Sequence, residues 1–236
     1  MSMRHRAVLF DKDGTLLDFH ATWTRVFRHA AEHLERDSGD AGLARRLLEA
    51  GGMNLTTGQF APDGALACED TPTIARSWAA AAGVGDAGAL AVRLERLFAT
   101  LQGRRLAPVS GLVDALQSLH RADFALGVAT MDSEAMALGD LDTLGIRDLM
   151  RFVCGADSGY GHKPGPGMVQ GFCQAVGQPP AATVMVGDTP HDLRMGRSAG
   201  AGLVVGVLTG AAAERDLQPH ADIVLPGVKD LPGILL

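Results

Sequence analysis

Two aspartates separated by one residue, Asp11 and Asp13, stand directly after a short apolar run, Ala7 to Phe10. If the backbone stays extended, both carboxylates point the same way, because strand side chains alternate with period two. Two neighbouring carboxylates repel, so the pair requires a proton or a cation to offset the repulsion. A hard divalent ion with oxygen ligands is the simplest compensation, and Mg2+ is the common intracellular one. Gly14 permits a sharp turn or a close approach, and Thr15 can hydrogen-bond nearby backbone or a phosphate oxygen. An acidic β-turn is the ordinary alternative for the same letters.

Three later stretches carry comparable chemistry. Thr130 follows an apolar run at 124–129 and precedes Met131-Asp132. Lys163 lies in Gly161-His162-Lys163-Pro164-Gly165, in a chain whose lysines are Lys12, Lys163 and Lys229 alone. A second acidic set, Asp188 and Asp192, follows the apolar run at 183–187. Singly, each has an ordinary reading: Thr130 as a helix cap, Lys163 as a solvated cation, Asp188 or Asp192 as an N-cap. All four stretches fall where apolar runs end, which is where ligands bind in open α/β sheets.

The elements that would position them follow from the hydrophobic period. From Ala107 onward, helices alternate with strands. Helices are expected at 112–121, 133–144, 166–176 and 191–199, and strands at 124–129, 152–155, 183–187, 203–207 and 222–225. That rhythm implies a parallel sheet with helices on both faces. Residues 19–105 instead read as a helical insertion. Phe19, Trp23, Phe27 and Leu34 recur at helical spacing, a second helix covers 40–50, and a glycine-rich loop spans 51–58. A third helix is expected to take Thr71 as N-cap and Pro72 as its first residue. A fourth, from Asp86 to Gln102, turns Leu90, Leu94, Leu97, Phe98 and Leu101 inward. His29 and His33 share a face of the first helix at metal-ligand spacing, but no HExxH accompanies them, and they read as surface.

Composition narrows the partners. A formal net charge of −6 and the absence of any dense Lys/Arg stripe disfavour a general nucleic-acid binder. Hydrophobic content of 47% is enough for a sizeable core, yet no run of about eighteen apolar residues suggests a membrane span. Cys68, Cys154 and Cys173 are widely spaced and lack a CxxC pattern, which suits a reducing cytoplasm better than a disulfide framework. Met1-Ser2-Met3-Arg4 leads straight into the first strand, so no signal peptide is expected.

Taken together, Asp11-Lys12-Asp13-Gly14-Thr15, Thr130, Lys163-Pro164 and Gly187-Asp188-Thr189-Pro190-His191-Asp192 resemble the haloacid dehalogenase superfamily of phosphatases. The resemblance implies a Rossmann-like, doubly wound parallel sheet as the catalytic core, at 1–17 and 106–236. The insertion at 18–105 resembles the α-helical cap of the phosphoglycolate phosphatase-like branch. Asp11 would be the nucleophile, forming an aspartyl-phosphate. Asp13 would protonate the leaving oxygen and later deprotonate the attacking water. Mg2+ would be held by Asp11, the backbone carbonyl of Asp13 and Asp188, with Asp192 acting through water. Thr130 would donate to a phosphate oxygen, helped by backbone amides near Lys12 and Met131, and Lys163 would neutralise the nucleophile and the phosphoryl charge. Lys12 itself is expected to point away, by alternation. Asp18 and His20 stand at the entrance to the cap and could line the substrate side.

The substrate implied is a small phosphorylated metabolite, with 2-phosphoglycolate as the leading choice, handled by a cytoplasmic enzyme. Met131-Asp132 departs from the Asn-containing turn frequent in related phosphatases. Asp13 separates the chain from dehalogenases, which replace the second aspartate, and the lack of lysine in 18–107 separates it from the phosphonate-cleaving branch. A sugar phosphomutase of the same superfamily stays open, as does, in a different class, a phosphorylatable signalling or non-catalytic protein.

Overall fold

The computed structural model describes residues 5–102 and 106–236. Met1–Arg4, and the position 105 at which the cap was expected to end, lie outside the described residues. Six strands form one parallel sheet: β1 (Ala7–Phe10), β2 (Ala125–Ala129), β3 (Met150–Cys154), β4 (Thr183–Gly187), β5 (Leu203–Val207) and β6 (Ile223–Leu225), in the order β3-β2-β1-β4-β5-β6. β1 lies between β2 and β4, with Phe10 opposite Val128 on one side and Val186 on the other. The carboxyl ends of β1, β2 and β4 are therefore neighbours, at the point where the strand order reverses. That is the crevice where such sheets bind ligands.

The strands read as continuous apolar runs because both faces of the sheet are covered. Val8, Phe10, Leu126, Val128, Val184 and Val186 pack in one cluster with Leu112, Leu116 and Leu119 of α6 (Leu112–Arg121) and Leu141 of α7 (Glu134–Thr143). Their alternates, Ala7, Leu9, Ala129 and Met185, pack in a second cluster. There they meet Met168, Val169 and Phe172 of α8 (Gly167–Val176) and Met195 of α9 (Pro190–Ala199). Each fully buried Leu or Phe contributes roughly 1.5–3 kcal/mol from apolar burial. The Rossmann-like fold class expected from the sequence is the one observed.

The chain separates into two compact units, Met1–Phe19 with Ala107–Leu236, and His20–Leu106. The second unit is helical: most of α1 (Phe19–Ser38), then α2 (Leu43–Ala50), α3 (Ala65–Cys68), α4 (Thr71–Ala82) and α5 (Ala87–Gln102). Trp23, Phe27, Trp78 and Phe98 form its aromatic centre. Trp23 and Phe27 stack at 5.1 Å between centroids, and Phe98 meets Phe27 edge-on at 5.4 Å. Leu94 and Phe98 are buried as expected, whereas Leu90, Leu97 and Leu101 are only half-buried. The N-cap of α4 is Asp70 rather than Thr71: the Asp70 carboxylate accepts from the Thr73 amide at 2.9 Å, and Thr71 becomes the first helical residue. α3 is too short to show in a hydrophobic period.

In the first unit, the two connections to the helical segment run side by side. Leu17 bridges to Pro108, and the Asp18 amide donates to the Ala107 carbonyl at 2.8 Å. The chain closes with the short helices α10 (Glu214–Leu217) and α11 (Pro232–Leu235).

Candidate active site

Asp11 is the first residue past β1, and its amide donates to the Val186 carbonyl, continuing the ladder to β4 by one step. The backbone then leaves the extended state. The amides of Leu16 and Leu17 both fold back onto the Lys12 carbonyl, at 2.9 and 3.0 Å, so alternation stops at Asp11. Alternation therefore does not set the relation of Asp11 to Asp13, although the Asp13 charge still acts on the Asp11 carboxyl.

Asp11 faces Lys163, Asp188 and Asp192. Lys163 Nζ lies 2.5 Å from Asp11 Oδ1 and 2.6 Å from Asp192 Oδ1, all buried. Carboxylate oxygens of Asp11, Asp188 and Asp192 lie within 4.8 Å of one another. Asp192 belongs to the first turn of α9. Its Oδ2 accepts from the Thr189 amide and hydroxyl, at 3.0 and 2.6 Å, in a capping box. Thr189, and not either aspartate, is the N-cap. Asp188 accepts from the Thr15 hydroxyl and the Ala211 amide, both at 3.3 Å. Thr15 thus orients a carboxylate in this structure.

Two glycines make room for Asp188. A Cβ on Gly14, which has φ of 97°, would stand 2.2 Å from Asp188 Oδ2, and one on Gly210 would stand 1.6 Å from it. The Thr209–Ala211 segment, just beyond β5, is part of the site that sequence reading missed, although the same rule about strand ends points to it. Thr209 Oγ1 also donates to the Gly14 carbonyl at 2.6 Å, tying this segment to the first motif.

Three carboxylates around one ammonium leave two negative charges to be balanced. Burial pushes the Asp11 carboxyl up to about 6; Lys163 opposes this, while Asp192 and Asp13 add to it. Asp188 is pushed well above the usual range by burial and then by Asp11 and Asp192. Burial works against the Lys163 charge, yet Asp11 and Asp192 outweigh it and raise that group. Asp11 Oδ2 is buried and has no hydrogen-bond partner among the described residues. A hard divalent cation fits this set: all donors are oxygens, the uncompensated charge is two, and one donor atom is orphaned.

Thr130 follows β2 and is buried. Its Oγ1 accepts from the Asp132 amide at 3.2 Å, which keeps the hydroxyl proton for donation elsewhere. The Met131 side chain packs into the second core cluster, so only its backbone is left to serve a ligand.

Lys12 contradicts the expectation that it points away. Its side chain is fully buried, and its Nζ stands 2.7 Å from Asp13 Oδ2, 2.8 Å from Asp132 Oδ2 and 2.7 Å from Asp140 Oδ2. The break in alternation explains the direction. Burial works against its charge, but the three carboxylates outweigh that and raise it. Asp132 is pushed up to about 7 by burial, against the pull of Lys12 and with the help of Asp13. Asp140, in α7, went unrecognised in the sequence. Its signal was an acidic residue set in the apolar stripe Ala137, Leu141 and Leu144. His33, read as surface, pairs with Asp37 at 3.3 Å on one face of α1.

A carboxylate beside a lysine, a buried acidic trio suited to a divalent ion and a hydroxyl donor on the next strand end form a site for moving a charged group. The family model of haloacid dehalogenase-like hydrolases matches residues 5–200, and the chain belongs to that family. It is 28% identical over 203 residues to the phosphoglycolate phosphatase of Rhodospirillum rubrum, covering 85% of this chain and 78% of that protein. It is 27% identical over 202 residues to the N-acetylmuramic acid 6-phosphate phosphatase of Pseudomonas putida, covering 84% and 81%. The crystal structure of a HAD phosphatase from Thermococcus onnurineus matches with a TM-score of 0.71 at 22% identity, over 98% of this chain and 97% of that one. The protein is an enzyme of the phosphoric monoester hydrolase class. None of its described helices is long and apolar enough to cross a membrane.

Proposed function

We propose that the enzyme hydrolyses a small phosphate monoester by way of an aspartyl-phosphate on Asp11, with Mg2+ as cofactor and 2-phosphoglycolate as the first substrate to test. The observation that carries this is the setting of Asp11, which touches Lys163 on one oxygen and keeps its other oxygen buried with no hydrogen-bond partner among the described residues. In the first step an Asp11 oxygen bonds to phosphorus as the bond from phosphorus to the leaving oxygen breaks. Asp13, whose side chain is 15% exposed, gives that oxygen its proton. In the second, Asp13 takes a proton from water, the water oxygen bonds to phosphorus, and Asp11 is released.

Thr130 and Lys163 stabilise the transferring group's oxygens, which matters because phosphoryl transfer depends mainly on positioning and electrostatics. Asp11 and Asp188 would hold Mg2+, and Asp192 would support it while fixing Lys163. When bound, the ion supplies charge stabilisation to the phosphoryl oxygens. In this reading His20–Leu106 is the cap, and the enzyme works in the cytoplasm, where Cys68, Cys154 and Cys173 stay reduced.

The test is phosphate release from a panel of alkyl monoesters, 2-phosphoglycolate and N-acetylmuramic acid 6-phosphate among them, together with 4-nitrophenyl phosphate. Each is ranked by kcat/KM with Mg2+ and with chelator. Mg2+-dependent release led by one alkyl ester supports the reading, and no release from any ester overturns it.

A further inference from the structure

Of the cluster around Lys12, the proposed chemistry uses Asp13 alone and leaves Lys12, Asp132 and Asp140 without a role. A fully buried ammonium there meets three carboxylates that come from three places: the β1 loop (Asp13), the β2 loop (Asp132) and α7 (Asp140). An ammonium has three donors and no acceptor, so it can serve one oxygen of each. Lys12 itself is immobilised. Its carbonyl receives the Leu16 and Leu17 amides, and its side chain has no exposed surface.

Asp132 and Asp140 are fixed in turn. The Asp132 amide donates to Thr130 Oγ1, its carbonyl accepts from the Ala156 amide at 2.9 Å, and Asp140 is a buried residue of a helix capped by Ser133. Asp13 is the member with a part in the proposed proton transfer, and its Oδ2 is held by the Lys12 ammonium at 2.7 Å.

We propose that Lys12, braced by Asp132 and Asp140, is a positioning residue that sets where the Asp13 carboxylate stands for proton transfer to the leaving group. The inference rests on the phosphatase reading above. Lys12 touches neither phosphorus nor the leaving oxygen, and it acts through Asp13. Asp132 thereby has a use in a turn that departs from the Asn-containing one: it braces the lysine of the first motif.

A good leaving group separates this role from general damage, because 4-nitrophenolate departs without a proton and an alkoxide does not. The measurement is kcat/KM for 4-nitrophenyl phosphate and for the best alkyl monoester of the panel. Lys12→Met leaves three carboxylates together without their cation and is expected to lose stability. Lys12→Met with Asp140→Asn removes one charge of each sign, keeps the net charge of the cluster and is the variant to rely on. It should lower the alkyl-to-aryl ratio of kcat/KM by about tenfold or more, within the range general acid catalysis supplies. In an Asp13→Asn background the same change should lower that ratio no further, because the two act as one unit.

Equal losses on both esters in the folded double variant, or a ratio that falls again in the Asp13→Asn background, overturn the positioning role and leave the phosphatase reading standing. A wild-type enzyme that releases phosphate from no ester overturns both.

Discussion

Lys163 Nζ stands 2.5 Å from Asp11 Oδ1, where neither group has more than a trace of exposed surface. Each partner is costly alone in that setting, and each makes the other tolerable. Lys163→Met should therefore lose stability as well as activity. Breaking a buried pair by removing one partner costs about 3–5 kcal/mol. Chemical denaturation should show that loss in metal-free protein, with phosphate release falling to background.

Asp11→Asn should behave in the opposite way on stability. It removes the proposed nucleophile, so turnover should vanish, while relieving repulsion among three clustered carboxylates and leaving Lys163 paired with Asp192. Thermal unfolding of the metal-free variant should occur at or above the wild-type temperature, and phosphate release is the companion measurement. Near-normal turnover would refute Asp11 as nucleophile.

The pH dependence has a definite sign. The carboxyls of Asp11, at about 6, and Asp132, at about 7, sit above their ordinary values, as does Asp188. Between about pH 4 and pH 7 the folded state binds more protons than the unfolded state, so stability from these groups falls as pH rises. Metal-free protein should lose stability across that window in a pH series of denaturant melts. Mg2+ should raise the melting temperature more at pH 7.5 than at pH 5, since deprotonated carboxylates bind it. A larger rise at pH 5 would contradict the acidic trio as its site.

Gly210→Ala tests the cradle around Asp188. The added Cβ would fall 1.6 Å from Asp188 Oδ2, a separation no packing tolerates, so the carboxylate must move. Most of the Mg2+-dependent gain in melting temperature should disappear, and titration calorimetry should show weaker binding of the ion. Asp188→Asn should give the same phenotype without the steric push.

Much of this was legible beforehand because apolar runs and strand ends are local features. Thr183–Val207 reads as strand, helix and strand from its letters, and Asp11, Lys163, Asp188 and Asp192 meet where the sheet rule places them. What escaped depends on backbone direction or on partners distant in sequence. Alternation sends Lys12 away only if the strand continues, and the turn at Asp11 cancels it. Asp140 sits in an apolar helical stripe, but its partner, the Lys12 ammonium, arrives from 128 residues away and cannot be read from local spacing. The Thr209–Ala211 segment carries no charged side chain, and it acts through an amide and the lack of a Cβ.

The contact between the Asp18 amide and the Ala107 carbonyl has a consequence for how the chain is assembled. On the sheet's side, the chain leaves at Asp18 and returns at Ala107 as though across one tight turn. Loop-closure entropy grows only slowly with length, so the inserted segment can lengthen, shorten or diversify at little cost to the sheet. Such a junction lets the part of the enzyme outside the sheet be exchanged while the acidic trio stays where it is.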